Sequence, residues 1–441
     1  MKLNKYFLIG AMGLGLFACS DDNDPVDNGQ NGNAQDGKTY MAISLDFDKM
    51  SARAVTQPGL AGTEAERKIN NVYVIVAGEE DGSFTEVAGG DVSNLTNGSK
   101  YYPDDNTLTF ATSPGRKQVY VVVNAVTPPT KNNKIGDYLS NLEENLDAGD
   151  LSKGLLMSGK AVSEINVPLG QTEASAKAQP MEVTVERAVA KFTVTCSEAS
   201  FAIKAGGTEN GTKGELVEVK YNFEGGVQDG YRWNPNHTSL TTKATNRGYT
   251  GTGDIIVNTQ PADDSVTPVY CLENLGEQTG TDNMYPEDKA TYFVVQAKYI
   301  PSKVVDIAKD GEVKDNGSSD PVSFYYVTAG KLKGAYLLKS DLDEWQKDTD
   351  NTTTYPNGVD AISGEYKDGI CWFGPVWIGE GGGNIGSKTD IFRNKWYNYD
   401  ITNFTLPGKT DKPGPGEPDT FMGVKLTIAN WAWKNVDIEL Q

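Results

Sequence analysis

The feature that most constrains this chain is a period of two. In Met41-Ala42-Ile43-Ser44-Leu45-Asp46-Phe47 apolar residues fall on every second position, the pattern of a β-strand that buries one face. Strand patterns follow at Val72 to Val76, Thr107 to Phe110, Gln118 to Val123, Met181 to Thr195, Glu215 to Phe223, Thr291 to Ile300 and Ser323 to Val327. Turn residues separate them, drawn from 48 Gly and 20 Pro, as in antiparallel sandwiches. Helical spacing is confined to Ile135, Tyr138, Leu139, Leu142 and Leu146, and to a short segment with Leu342 and Trp345 that Ser340 would cap. Neither supports alternating βαβ units, so the predicted class is mainly β. A chain of 441 residues also exceeds one compact domain. The polar stretch from Lys204 to Gly211 is the best break, which predicts sandwiches over 54–205 and 206–406.

The first residues predict export. Lys2 and Lys5 precede an apolar run from Tyr6 to Ala18, the layout of a signal peptide over residues 1–18 and too short to span a bilayer. Leu16-Phe17-Ala18-Cys19 resembles the lipobox of bacterial lipoproteins, which implies acylation of Cys19. The acidic run Ser20-Asp21-Asp22-Asn23-Asp24 is similar to the surface-export signal of Bacteroidetes lipoproteins. Residues 20–38, rich in Asp, Asn and Gly, read as a tether, and the turn-rich segment from Asp48 to Thr63 reads as an exposed loop.

Charge and residue counts exclude several functions. Forty Lys plus Arg against sixty Asp plus Glu give a net charge of −20, which argues against nucleic acid as a partner. His237 is the one histidine, so multi-His metal sites and His-based triads drop out, and neither catalytic residues, metal nor cofactor is expected. Cys196, Cys271 and Cys371 lie in apolar stretches and read as buried small hydrophobes rather than a disulfide framework, although one bridge stays open. The loop Gly379-Glu380-Gly381-Gly382-Gly383-Asn384 lacks the Lys-Ser/Thr of a phosphate-binding loop and reads as a turn. Trp233, Trp372, Trp377 and Trp396 keep a surface glycan-binding lipoprotein as the rival reading.

The C-terminal end is the most informative. Pro407 to Asp419 holds four Pro and three Gly in thirteen residues, so it reads as a spacer able to reach roughly 40 Å at about 3.1 Å per residue. Beyond it, Val424, Leu426 and Ile428 alternate with Lys425 and Thr427, and Val436, Ile438 and Leu440 alternate with Asp437 and Glu439. Residues 407–441 thus read as a spacer with two terminal strands. They could complete the chain's own sheet or fill a groove left in another subunit.

The chain resembles a major fimbrillin of Bacteroidetes, the shaft subunit of type V pili, most nearly the short-fimbriae type. The resemblance rests on the lipobox, the strand Tyr40 to Phe47 with Arg53 after it, Met157-Ser158-Gly159-Lys160, and Val185-Glu186-Arg187-Ala188-Val189-Ala190-Lys191. It rests further on Phe392-Arg393-Asn394-Lys395-Trp396-Tyr397-Asn398-Tyr399-Asp400-Ile401 and the ending Trp431 to Leu440. It implies two transthyretin-like sandwiches and a lipidated outer-membrane precursor whose propeptide is residues 19–53. It also implies cleavage between Arg53 and Ala54 by an Arg-specific protease, with Arg67-Lys68 as the competing site. Released strand residues would be Met41, Ile43, Leu45 and Phe47; donor residues would be Val424, Leu426, Ile428, Val436, Ile438 and Leu440. Copies of the chain would then polymerise into an extracellular fimbrium for adhesion and biofilm formation, with accessory tip and anchor fimbrillins and host or bacterial receptors as partners. A tip or anchor role is the variant reading. On this view the subunit's own fold is independent of residues 424–441.

Overall fold

Two apolar cores organise the chain, and each is enclosed by sheets built from the alternating runs. The computed structural model describes residues 38–47, 57–78, 82–96, 98–139, 142–144, 151–204, 212–227, 229–232, 247–257, 259–260, 265–274, 287–309, 311–379, 390–418 and 421–432. Both cores lie in one compact unit that begins at Lys38. The mainly β class predicted from periodicity holds.

The first core is a sandwich. One layer has four strands in the order Met181–Thr184, Thr39–Asp46 (β1), Thr107–Thr112 and Lys100–Tyr102. The facing layer is centred on Asn71–Ala77 and Gly115–Val123, with Phe84–Asp91 and Met157–Lys160 outside them. Met41, Ile43, Leu45, Leu108, Phe110 and Val183 from one layer meet Val72, Val74, Val119 and Val121 from the other. On its far side the second layer packs against the short helix Ile135–Leu139 (α1) through Ile75, Phe84 and Tyr120. The helical spacing predicted through Leu142 and Leu146 stops at α1, because Leu142–Glu144 pairs as a strand with Asp229–Tyr231. Leu146 lies outside the described residues. Two further α-helices are described, Glu173–Ala178 (α2) and Lys339–Lys347 (α3). In α3 Leu342 is buried as expected, but the cap position is Leu338 rather than Ser340.

The second core lies in a continuous sheet that turns back on itself. Val189–Cys196, Lys395–Phe404 and Met422–Ala432 form one half, and Thr212–Val227, Tyr292–Pro301 and Ile370–Trp377 the other. The two halves join at Ala202–Lys204 through the pairing of Ile203 with Phe404. Phe192 from the first half contacts Tyr221, Phe223 and Phe293 from the second, with ring centroids 5.4–5.5 Å apart. Cys196, Cys271 and Cys371 are buried free thiols in this core. Burial pushes the Cys271 and Cys371 thiols up to about 12, far from reactivity at neutral pH.

The run from Met181 to Thr195 reads as one strand in sequence and is divided between the cores. Met181–Thr184 pairs with β1, while Val189–Cys196 pairs with Lys395–Phe404. The core therefore changes between Val185 and Ala190, upstream of the polar break near residue 205.

Candidate functional site

β1 occupies an interior slot. It runs parallel to Met181–Thr184 on one side and antiparallel to Thr107–Thr112 on the other, so backbone pairing uses both of its edges. Its inward side chains Met41, Ile43 and Leu45, and Phe47 just after it, are at most 4% exposed, each worth roughly 1.5–3 kcal/mol of burial. Its ends are pinned by Tyr40 N–H donating to the Gln171 carbonyl at 2.9 Å and by Val185 N–H donating to the Asp46 carbonyl at 2.9 Å. Loss of β1 would bare two unpaired strand edges and an apolar trough, a surface that demands another strand.

Cys19, Arg53 and Ala54 lie outside the described residues. The competing Arg67 ends a 3-10 turn, Ala65–Arg67, where its Nε donates to the Thr63 carbonyl at 3.3 Å. Its neighbour Glu66 is fully buried, 2.8 Å from Lys191 Nζ and 2.6 Å from the Tyr270 hydroxyl. A protease binds its substrate extended, so this anchored turn is a poor target.

The segment read as an exposed loop up to Thr63 needs correction. Gln57–Ala61 (β2) is a strand, paired in parallel with Met422–Ala432. With few apolar residues and a Pro-Gly step it shows no period of its own, and its partner alone makes it a strand.

The larger correction concerns the terminal strands. Val424, Leu426 and Ile428 belong to Met422–Ala432, which lies between β2 and Lys395–Phe404 and completes the chain's own sheet. Ile428 is 4% exposed in the second core, Val424 and Leu426 pack against it, and Trp431 is fully buried. The subunit's fold therefore does depend on residues 424–432. The alternation of Val424, Leu426 and Ile428 marks a strand but cannot say which sheet supplies the partner. Val436, Ile438 and Leu440 lie outside the described residues.

The Pro- and Gly-rich spacer does not reach outward either. Trp372 and Lys409 exchange backbone hydrogen bonds of 2.9 and 2.7 Å, the Tyr366 hydroxyl donates to the Gly408 carbonyl, and Trp377 Nε1 donates to the Pro415 carbonyl. The spacer thus straps the free edge of Ile370–Trp377. Gly408 is required there, since a Cβ would sit 1.8 Å from the Trp372 carbonyl oxygen.

The motifs singled out in sequence converge where the two cores meet. Arg187 Nη1 donates to the Trp431 carbonyl at 2.7 Å and to Asn394 Oδ1 at 3.1 Å, and its guanidinium lies 4.4 Å from the Trp431 ring centroid. Tyr270 stacks on that same ring at 5.7 Å. Asn394 takes a left-handed turn (φ 56°), which Asn tolerates better than most residues. Lys191 Nζ lies 3.6 Å from the Trp396 ring centroid while pairing Glu66, and Arg393 pairs with the buried Glu273 at 3.1 Å. Burial, then the Glu66 charge, pushes the Tyr270 hydroxyl well above its ordinary range, so it stays protonated and donates. Gly159 of the Met-Ser-Gly-Lys motif lets its strand pass the Thr184 carbonyl, which a Cβ would meet at 2.0 Å. No local sequence pattern marks Glu66, Tyr270 or Glu273, because the partners that make such buried polar groups tolerable are distant in the chain. Of the four Trp side chains that could stack on sugars, Trp377 and Trp396 are buried in the fold, Trp372 is half-buried, and Trp233 lies outside the described residues.

The family model "Major fimbrial subunit protein (FimA)" matches residues 39–187, which span β1, the whole first sandwich and Arg187. No curated protein sequence matches the chain. Among solved structures, a fimbrilin of Porphyromonas gingivalis is 13% identical with a TM-score of 0.46, covering 90% of this chain and 98% of its own. The tip fimbrial protein Mfa3 of the same organism, with C-terminal truncation, is 14% identical at a TM-score of 0.41, covering 89% of this chain and 100% of its own.

Proposed function

We propose, from the premise that residues 39–187 carry the module of the major fimbrial subunit family, that this chain is a structural, non-enzymatic subunit of a surface fimbria assembled by strand exchange. The precursor is lipidated at Cys19, carried to the outer membrane and trimmed between Arg53 and Ala54. The observation that carries the reading is the place of β1: an interior strand whose inward side chains fill the first core, upstream of the segment that contains Arg53. Trimming there detaches β1 and keeps β2, which is tied to Met422–Ala432.

The donor in this reading is narrower than the sequence implied. Because Val424, Leu426 and Ile428 are used within the subunit, the donated strand is the later alternation of Val436, Ile438 and Leu440. A donor from one subunit entering the β1 slot of the next is a heterologous contact, which propagates as a filament. Possession of both a cleavable first strand and a tail favours a shaft role over tip or anchor.

N-terminal sequencing and mass spectrometry of surface filaments test this. Polymerised subunits should begin at Ala54 without lipid, and Arg53→Ala should leave lipidated monomers at the surface. Acylated Cys19 on polymerised subunits would refute the trimming step.

A further inference from the structure

We propose that helix α2 is a lid that holds β1 in its slot and sets how fast that strand can be exchanged. The proposal rests on the reading that β1 leaves.

The four-stranded layer has two faces. Met41, Ile43 and Leu45 point to the core, so Tyr40, Ala42 and Ser44 point away from it. On an uncovered sheet that outward face would meet water, yet Ala42 is 3% exposed and its cross-strand partner Thr109 is fully buried. The cover is α2, which packs across both β1 and Thr107–Thr112. Ala176, on its inner side, is fully buried. β1 is therefore enclosed by a strand at each edge, the core beneath and a helix above. It cannot leave sideways past the helix without moving it.

The polar anchors of the helix itself go to strands that remain after trimming. Glu173 Oε1 accepts from the Tyr102 hydroxyl and from Thr109 Oγ1, both at 3.0 Å. Lys177 Nζ lies 3.5 Å from the Tyr102 ring centroid and 4.0 Å from Asp105. Thr172 caps the helix, its side chain accepting from Ser175 N–H at 3.2 Å. The helix packs closely along β1, and two hydrogen bonds in the turn before it, from Tyr40 N–H to Gln171 and from Gly170 N–H to Thr39 Oγ1, clip the start of the strand. This division suits a lid. It stays attached when its cargo goes, and the strength of its anchors sets how often it lifts.

The test uses the full chain, cut in vitro after Arg53 by an Arg-specific protease, with loss of the β1 fragment followed by native mass spectrometry. Glu173→Ala removes the acceptor shared by Tyr102 and Thr109 and should speed fragment release about tenfold, the effect expected of one or two net hydrogen bonds. Glu173→Gln keeps an acceptor oxygen and should release near the wild-type rate. Thr172→Ala, which loses the cap alone, should also accelerate release and serves if Glu173→Ala folds poorly. One common rate for wild type, Glu173→Ala and Thr172→Ala would overturn the lid while leaving strand release intact. A fragment that never leaves any of these proteins would overturn both.

Discussion

Replacing Ile428 with Ala separates the two roles that the C-terminal alternation could serve. Ile428 is 4% exposed, packed in the second core, and carried on a strand paired with Tyr397 and its neighbours in Lys395–Phe404. Truncating a buried Ile typically costs about 2–5 kcal/mol, as lost transfer energy plus the cavity left behind. That is a large share of the roughly 5–15 kcal/mol that holds a folded protein together. At about 2–4 °C per kcal/mol for a region of this size, the melting temperature of the trimmed monomer should fall by roughly 4–20 °C. Urea titration should show a lower midpoint with an unchanged slope, marking lost stability rather than a changed unfolded state. Val436→Ala is the control. It should leave the monomer's melting curve in place and weaken polymerisation. An Ile428→Ala monomer that melts with the wild type would refute the reasoning, because Met422–Ala432 would then contribute nothing to its own sheet.

Two further outcomes follow from a buried and a half-buried carboxylate. Lys191→Met leaves Glu66 buried without its cation and should cost about 3–5 kcal/mol in urea unfolding, whereas adding Glu66→Gln should recover much of the loss; additive losses would show that the pair is not coupled. Burial pushes the Glu86 carboxyl up, but hydrogen bonds from Ser113, Thr112 and Lys117 outweigh it and hold the group below its ordinary 4.5. A depressed carboxyl adds stability that is fully present above about pH 4.5 and is lost as pH falls through the folded-state value. Glu86→Gln should flatten the acid limb of stability against pH, and an unchanged limb would count against this assignment.

Much of the architecture was legible because a strand with one buried face writes its own pattern. Met41, Ile43, Leu45 and Phe47 announce both the strand and the face it buries, and the structure places all four in the first core. The Pro and Gly of residues 407–418 likewise exclude a regular element there. Three things were not legible, and each depends on a partner far away in the chain. Met181 to Thr195 has one continuous strand pattern, but Met181–Thr184 pairs with β1 and Val189–Cys196 with Lys395–Phe404. The spacer has the composition of an extended tether, yet Tyr366, Trp372 and Trp377 hold it against a sheet edge. Glu66 is one acidic residue among sixty, and the Thr63 N–H beside it, with Lys191 and Tyr270 brought up from far along the chain, makes its burial tolerable. Periodicity is a property of neighbours along the backbone, so the sequence by itself determined which side chains turn inward. Which strand lies alongside is settled by the free energy of burying those faces together, and that belongs to the tertiary structure: it drew Val424, Leu426 and Ile428 into the chain's own sheet.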